Sequence, residues 1–410
     1  MTEGTSVVTS RQRRGAVGLL LAMVLLGVFP LDVLLPSFPA LAAHFNRTPA
    51  DIALSISLFA VGIAFAQLLI GPLSDRIGRK GLLLSGLGVS MLGAIGCVMT
   101  ADYSLFLIFR VMQALGCGCF VLSQALVQDL FEGEQRDRLR ILMVTATGIF
   151  ISLSPLAGAF LQATLGWRGS FWVFTALSAL VMIKAWLFLD SGRPTSSAAH
   201  LGFVRAYRRV LSDFEFVSYW LISAFAFACH FSFIVISPLI FMDQLQLTTY
   251  DFSLILLIYG AAYVFGGIAA TLLSRRINAR QQIVAGLSLI LLAGLVMLFL
   301  AQHFARSPAT VLIPMLICTA GTTIARPAAT SRAMALFPEI AGTSASAGST
   351  IIFVCGGLIS ALISLSPSNL QATLGYCFVL LSGIALALNR RISRRARVLD
   401  RSAITSTGGD

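Results

Sequence analysis

From about residue 16 onward, apolar runs long enough to cross a bilayer alternate with short polar segments. Windows of about 19 residues predict membrane-crossing helices near 16–38, 50–70, 81–100, 104–127, 139–163 and 169–189, then near 216–240, 250–272, 281–303, 308–333, 343–365 and 371–389. The pattern breaks at 190–215, where Pro194, Thr195, Ser196 and Ser197 precede the basic cluster Arg205, Arg208 and Arg209. That stretch reads as a cytoplasmic linker. The expected organisation is an N-terminal six-helix half (1–189), a linker (190–215), a C-terminal six-helix half (216–389) and a basic cytoplasmic tail (390–410).

Composition narrows the class. The 410 residues are 57% hydrophobic and 11% charged, with a mean hydropathy of +0.88; an ordinary soluble domain is about 25% charged. A water-soluble or disordered chain is excluded, and twelve spans with short connections leave no room for a separate soluble domain. A net charge of +12 would suggest a nucleic-acid partner if the basic groups shared one face of a folded domain. Instead they lie between the apolar runs, so no nucleic acid is expected.

The same charges orient the chain. Arg11, Arg13 and Arg14 precede the first run with no small-residue cleavage site, which predicts a retained helix and not a removed signal peptide. With the N-terminus inside, 25 of the 29 Lys and Arg residues fall on the cytoplasmic side. Arg47, Arg168 and Arg306 lie outside, and Arg110 lies within a helix. This asymmetry obeys the positive-inside rule, so both termini are expected in the cytoplasm of a multi-pass inner-membrane protein.

An internal repeat accompanies the two halves. At one ungapped offset of 200 residues, Asp51, Leu54, Phe65, Leu73, Ser74, Arg76, Ile77, Gly86 and Leu87 recur as Asp251, Leu254, Phe265, Leu273, Ser274, Arg276, Ile277, Gly286 and Leu287. Leucine matches are cheap in such a composition; Asp, Arg and Gly together are not. Parallel repeats of this kind are a transporter architecture with the binding site near the midplane. The seven cysteines fall inside predicted spans without CxxC pairing and read as small packing residues. His44, His200, His230 and His303 are scattered, and neither a Walker loop nor a dinucleotide fingerprint occurs. No metal site, cofactor or enzymatic centre is expected.

Between the second and third runs stands Gly71-Pro72-Leu73-Ser74-Asp75-Arg76-Ile77-Gly78-Arg79-Lys80. This resembles the signature loop of the major facilitator superfamily, G-x-L-[SA]-D-R-x-G-R-[KR], at every specified position. Gly78 permits a tight turn, Asp75 suits a helix N-terminus, and Arg76, Arg79 and Lys80 suit the cytoplasmic headgroups. The resemblance implies a latch built from Gly71, Asp75, Arg76, Gly78, Arg79 and Lys80 that stabilises one state of an alternating-access cycle. The second half reads Ser274-Arg275-Arg276-Ile277-Asn278-Ala279-Arg280 at the same place, without the Asp. Any second latch should be weaker.

Further stretches point to one branch. Asp32-Val33-Leu34-Leu35-Pro36-Ser37-Phe38-Pro39 resembles the D-x-x-L-P-x-x-P of Bcr/CflA-like drug:proton antiporters, and Arg110-Val111-Met112-Gln113-Ala114-Leu115-Gly116 their R-x-x-Q-[GA]-x-G. Trp167-Arg168 with Phe171 is similar to their W-R-x-x-F, and 334–345 resembles their turn into the eleventh helix. The fifth-helix antiporter motif G-P-x-x-G-G is partial: Ser154 replaces its first Gly, while Pro155 and Gly158 remain for a bend and a close approach.

Buried charge supplies the candidate site. An ionisable group inside the bilayer costs at least ~2.5–3.5 kcal/mol and is a functional-site hypothesis by default. Counting about 1.5 Å per residue, Asp32 and Arg110 both fall roughly 8 Å to the outer side of the midplane, where they could face one cavity as a proton-coupling pair. A purely structural ion pair is the alternative. Gln113 shares the face of Arg110. Asp32, Arg110, Gln113, His230 and Tyr259 are the candidate substrate-binding residues, with Tyr263 one turn beyond Tyr259. Arg326, followed by Pro327, either snorkels to the cytoplasmic surface or binds an anionic substrate.

The expected protein is all-α and integral to the membrane, with twelve helices in two six-helix halves of the major facilitator fold. The resemblance implies a monomeric, proton-coupled antiporter in contact with membrane lipid. It would export small amphipathic compounds in drug or multidrug efflux, of phenicol or bicyclomycin type. Export or uptake of an endogenous metabolite such as a siderophore is the other reading.

Overall fold

A computed structural model of the chain describes residues 10–47, 49–189, 202–364 and 369–407. Among these residues there is no strand, and twelve helical segments are long and apolar enough to cross a membrane. They are Gly15–Phe45, Leu58–Ile77, Arg79–Met99, Tyr103–Leu130, Gly133–Leu165, Trp167–Phe188, Phe214–Met242, Tyr250–Ser274, Ala279–His303, Pro308–Leu336, Pro338–Ser360 and Leu370–Arg395, called spans one to twelve below. The chain is an all-α, twelve-span membrane protein, with six spans on each side of the central connection. Residues 190–201 of the expected linker lie outside the described residues. Its later part includes a helix, Phe203–Leu211, that buries Ala206 and Val210 one turn apart and leaves Arg205, Arg208 and Arg209 exposed. Asp213 then caps span seven by accepting from the Phe216 amide at 2.7 Å.

Prolines and glycines shape the spans that carry the candidate site. Span one is not the continuous helix expected to residue 38. Regular helix runs over Ser10–Asp32, a 3-10 turn follows at Leu35–Ser37, and a second helix spans Phe38–Phe45. Pro36 and Pro39 have no N–H to donate to an unbroken ladder, so Asp32 becomes the last residue of the first helix. The break falls after the stretch along which the depth of Asp32 was counted. Span four breaks similarly into Tyr103–Cys117, a 3-10 turn at Gly118–Val121 and Leu122–Leu130.

Within lipid no water drives helices together, so close contact between small residues carries the packing. A Cβ on Gly86 of span three would meet the Gly116 carbonyl of span four at 2.9 Å, and one on Gly286 of span nine would meet the Gly321 carbonyl of span ten at 2.5 Å. The two halves thus repeat a glycine crossing, with Gly86 and Gly286 at positions 200 apart. Environments repeat as well: Leu87 and Leu287 are fully buried, while Phe65 and Phe265 are 58% and 71% exposed, as lipid-facing rings should be.

Two compact units are present. The first comprises Met1–Leu139, Leu153–Leu201 and Glu339–Ser346; the second comprises Arg140–Ser152, Gly202–Pro338 and Ala347–Asp410. Span five gives its residues 133–139 and 153–165 to the first unit and Arg140–Ser152 to the second, and Glu339–Ser346 at the start of span eleven belong with the first unit. In the second unit, span five lies hard against span eight. A Cβ on Gly148 would fall within the Tyr263 ring, and one on Gly267 would strike Thr145.

Candidate functional site

In the first unit, the loop after span two is organised around one carboxylate. Asp75, 6% exposed, accepts from the Gly342 amide at 2.9 Å, and from the Thr343 amide and hydroxyl at 2.8 Å each. These donors belong to the first turn of the helix Ala341–Ser364, whose N-terminal dipole favours an anion. Arg79 donates to Asp75 at 2.7 Å and to Asp129, at the end of span four, at 3.0 Å; it also reaches the Ser74 hydroxyl. Hydrogen bonds to a charged group contribute about 1.5–3 kcal/mol each, so Asp75 is strongly held.

Glycines make this approach possible. Gly78 has φ +95°, a conformation that disfavours a side chain. A Cβ on Gly342 would stand 2.5 Å from Asp75, Arg79 and Ser74 atoms alike, and one on Gly71 would strike Ser346. Arg76 is exposed, and the Lys80 ammonium lies 5.3 Å from the Trp186 ring centroid. Sequence reasoning found the loop but missed its partners Gly342, Thr343 and Asp129. Small and polar residues after Pro338 at the start of an apolar run were the available signal for a helix N-terminus.

Also in the first unit, Arg110 is fully buried in span four. It donates to Gln113 Oε1 at 2.7 Å and to the Pro30 carbonyl at 3.2 Å. The second bond has a local cause: the last carbonyls of a helix lack intrahelical partners, and the break after Asp32 frees that of Pro30. The guanidinium also lies 4.2 Å from the Phe59 ring centroid and 5.8 Å from that of Phe171. Phe171 packs edge-on against Phe106 and Trp167, so the W-R-x-x-F stretch walls the site with aromatic rings.

Asp32 is 9% exposed and has neither a hydrogen bond nor an ion pair among the described residues. The structure brings it within two residues of an Arg110 contact but does not pair the two charges. Gly158 of span five touches the next residue. A Cβ there would run into the Val33 carbonyl and lie 2.9 Å from its carbon, so only glycine lets the two backbones meet. Pro155 lies one turn earlier within the same helix.

The remaining candidates gather in the second unit. His230 of span seven, Tyr259 and Tyr263 are each at most 1% exposed. The Tyr259 hydroxyl meets His230 Nδ1, and the Tyr263 hydroxyl lies 2.8 Å from both ring nitrogens. Arg326 of span ten stands over Phe227 with its guanidinium carbon 4.9 Å from the ring centroid.

Comparison with known proteins was made against this geometry. A family model described as Major Facilitator Superfamily matches residues 17–364. The chain is 26% identical over 336 residues to the multidrug resistance protein MdtL of Escherichia fergusonii, covering 82% of this chain and 84% of that one. MdtL of Escherichia coli O157:H7 is 25% identical over 354 residues, 85% and 89% of the two chains. Among solved structures, the proton:xylose symporter XylE bound to 6-bromo-6-deoxy-D-glucose aligns with a TM-score of 0.75 at 14% identity, covering 94% of this chain and 96% of that one. The human organic anion transporter MFSD10 (TETRAN) aligns with a TM-score of 0.69 at 19% identity, over 92% and 98%. At these identities the structural matches speak for the fold alone.

Proposed function

Because this chain belongs to the major facilitator superfamily, whose members are membrane transporters, we propose that it is a proton-coupled exporter of small amphipathic compounds. It acts as a monomer in the cytoplasmic membrane with both termini inside. The observation that carries this reading is Asp32: a nearly buried carboxyl with no partner among the described residues, at a break in span one and two residues beyond the Pro30 carbonyl that accepts from Arg110. A charge at that place is costly, and proton transfer removes the cost. The relatives named as multidrug resistance proteins support a drug-like cargo.

In this reading, protonated Asp32 leaves Arg110 on Gln113 and Pro30, the arrangement described above. Release of the proton to the cytoplasm creates a carboxylate that draws Arg110 away and frees the Gln113 amide for cargo. Span one bends at residues 33–37, and the Gly158 contact passes that movement to span five. Asp75 on the first turn of span eleven holds one conformational state until the exchange is complete. In the second unit His230 and Tyr259, already hydrogen-bonded to each other, form a fixed polar cluster.

Everted membrane vesicles test the activity. With an acid lumen, accumulation of an amphipathic fluorophore should exceed that at neutral lumen several-fold and collapse when nigericin dissipates the pH difference. Equal accumulation at both lumen pH values would refute proton coupling.

A further inference from the structure

Arg326 is a second arginine within a span, and its surroundings differ from those of Arg110. It is the nineteenth residue of the helix Pro308–Leu336, ten short of its end. That is roughly 15 Å along the axis at 1.5 Å per residue, farther than an arginine side chain reaches. The group does not snorkel: its guanidinium stands over Phe227, near the middle of span seven.

No acceptor among the described residues satisfies it. Arg326 makes no hydrogen bond or ion pair among the described residues, and its Nε is fully covered without a partner. The residue as a whole is half-buried, so its uncovered surface belongs to the rest of the side chain, including terminal nitrogens that are not among the covered orphan atoms. His230 and Tyr263 lie close enough for charge interaction, but their polar atoms already meet one another and Tyr259. Arg110, in contrast, has Gln113 and Pro30. A half-buried guanidinium whose covered Nε lacks an acceptor carries an unmet donor, and a planar carboxylate with its two oxygens is the group that fits its fork. Beside it Phe227 stacks on Phe231 with ring centroids 5.2 Å apart and meets Phe353 edge-on at 5.9 Å. These rings offer a surface for an aromatic body.

We propose that Arg326, backed by Phe227 and the His230–Tyr263 pair, is the acceptor-seeking half of a binding site in the second unit that takes an aromatic carboxylate. The inference rests on the export reading only in calling that ligand a substrate. It narrows the cargo to amphipathic compounds carrying an acid next to an aromatic ring.

Equilibrium binding to the purified full-length protein in detergent tests this, with 2-naphthoate, 2-naphthamide and inorganic phosphate as probes. Naphthoate should bind at least about tenfold tighter than naphthamide, as a charged hydrogen-bonded pair warrants, and phosphate should not displace it at equal concentration. Arg326→Gln should bring naphthoate to within about threefold of naphthamide and leave naphthamide unchanged, while Arg326→Lys keeps part of the preference. Phe227→Leu should weaken both naphthyl probes together. Monodisperse elution and unaltered melting establish that each variant folds. Absence of the carboxylate preference, its survival in Arg326→Gln, or equal displacement by phosphate would overturn the site. Naphthoate counterflow in proteoliposomes is a separate readout: its failure with the binding preference intact would overturn export and leave the anion site standing.

Discussion

Arg110 shows how a buried charge is made tolerable by local chain geometry. The proline pair at Pro36 and Pro39 ends the regular helix at Asp32 and releases the Pro30 carbonyl, which then serves as an acceptor for the guanidinium. Arg110→Lys replaces a planar fork by a point charge, so it should not hold Gln113 and Pro30 together. Transport in proteoliposomes should fall about tenfold or more, and Arg110→Ala should also lower the melting temperature of the detergent-purified protein. Unchanged transport in Arg110→Lys would mean that the fork geometry is unimportant. Gln113→Glu would give Arg110 a permanent counter-charge and should arrest transport while preserving stability. Asp32 and Arg110 were legible as candidates from the high cost of charge inside a span, and Gln113 from its helical spacing to Arg110. Their pairing was not, because a helix break redirects Arg110 to a backbone carbonyl that no residue pattern advertises.

The link between the loop after span two and the first turn of span eleven rests on one carboxylate, three donors of span eleven and a glycine without which they would clash. Asp75→Asn removes the charge while keeping the size. Hydrogen exchange at the Gly342 and Thr343 amides should quicken about tenfold or more, since a shift of ~1.4 kcal/mol is tenfold in an equilibrium. Transport should fall with little loss of protein from the membrane. Gly342→Ala should behave in the same direction, because its Cβ would press on Asp75, Arg79 and Ser74. Arg275→Ala, at the counterpart without an Asp, should have little effect; equal losses at both loops would mean a generic basic role. The signature loop was readable from its spacing of Asp, Arg and Gly. Its partner was hidden, because residues 267 and 268 positions away are joined by folding and not by any local pattern.

At the scale of the whole molecule, span number and repeat were the most legible features, because lipid demands long apolar helices and the halves reuse one glycine crossing. Gly86 and Gly286 were visible as a repeat before their carbonyl contacts were known. The exchange of Arg140–Ser152 and Glu339–Ser346 between compact units was not, since apolar periodicity does not say which bundle a helix segment joins. The orientation expected from the arginine distribution is open to test: reporters fused after Ser196 and at Asp410 should both signal cytoplasm, and a periplasmic signal from either would overturn that expectation. The central claim is that cargo and proton exchange at Asp32. Its most direct test is substrate-induced proton release from the purified protein in weakly buffered detergent solution. The unaltered protein should release protons on adding cargo, and Asp32→Asn should bind cargo with no release. Release from Asp32→Asn equal to that of the unaltered protein would contradict the account and place the proton carrier elsewhere.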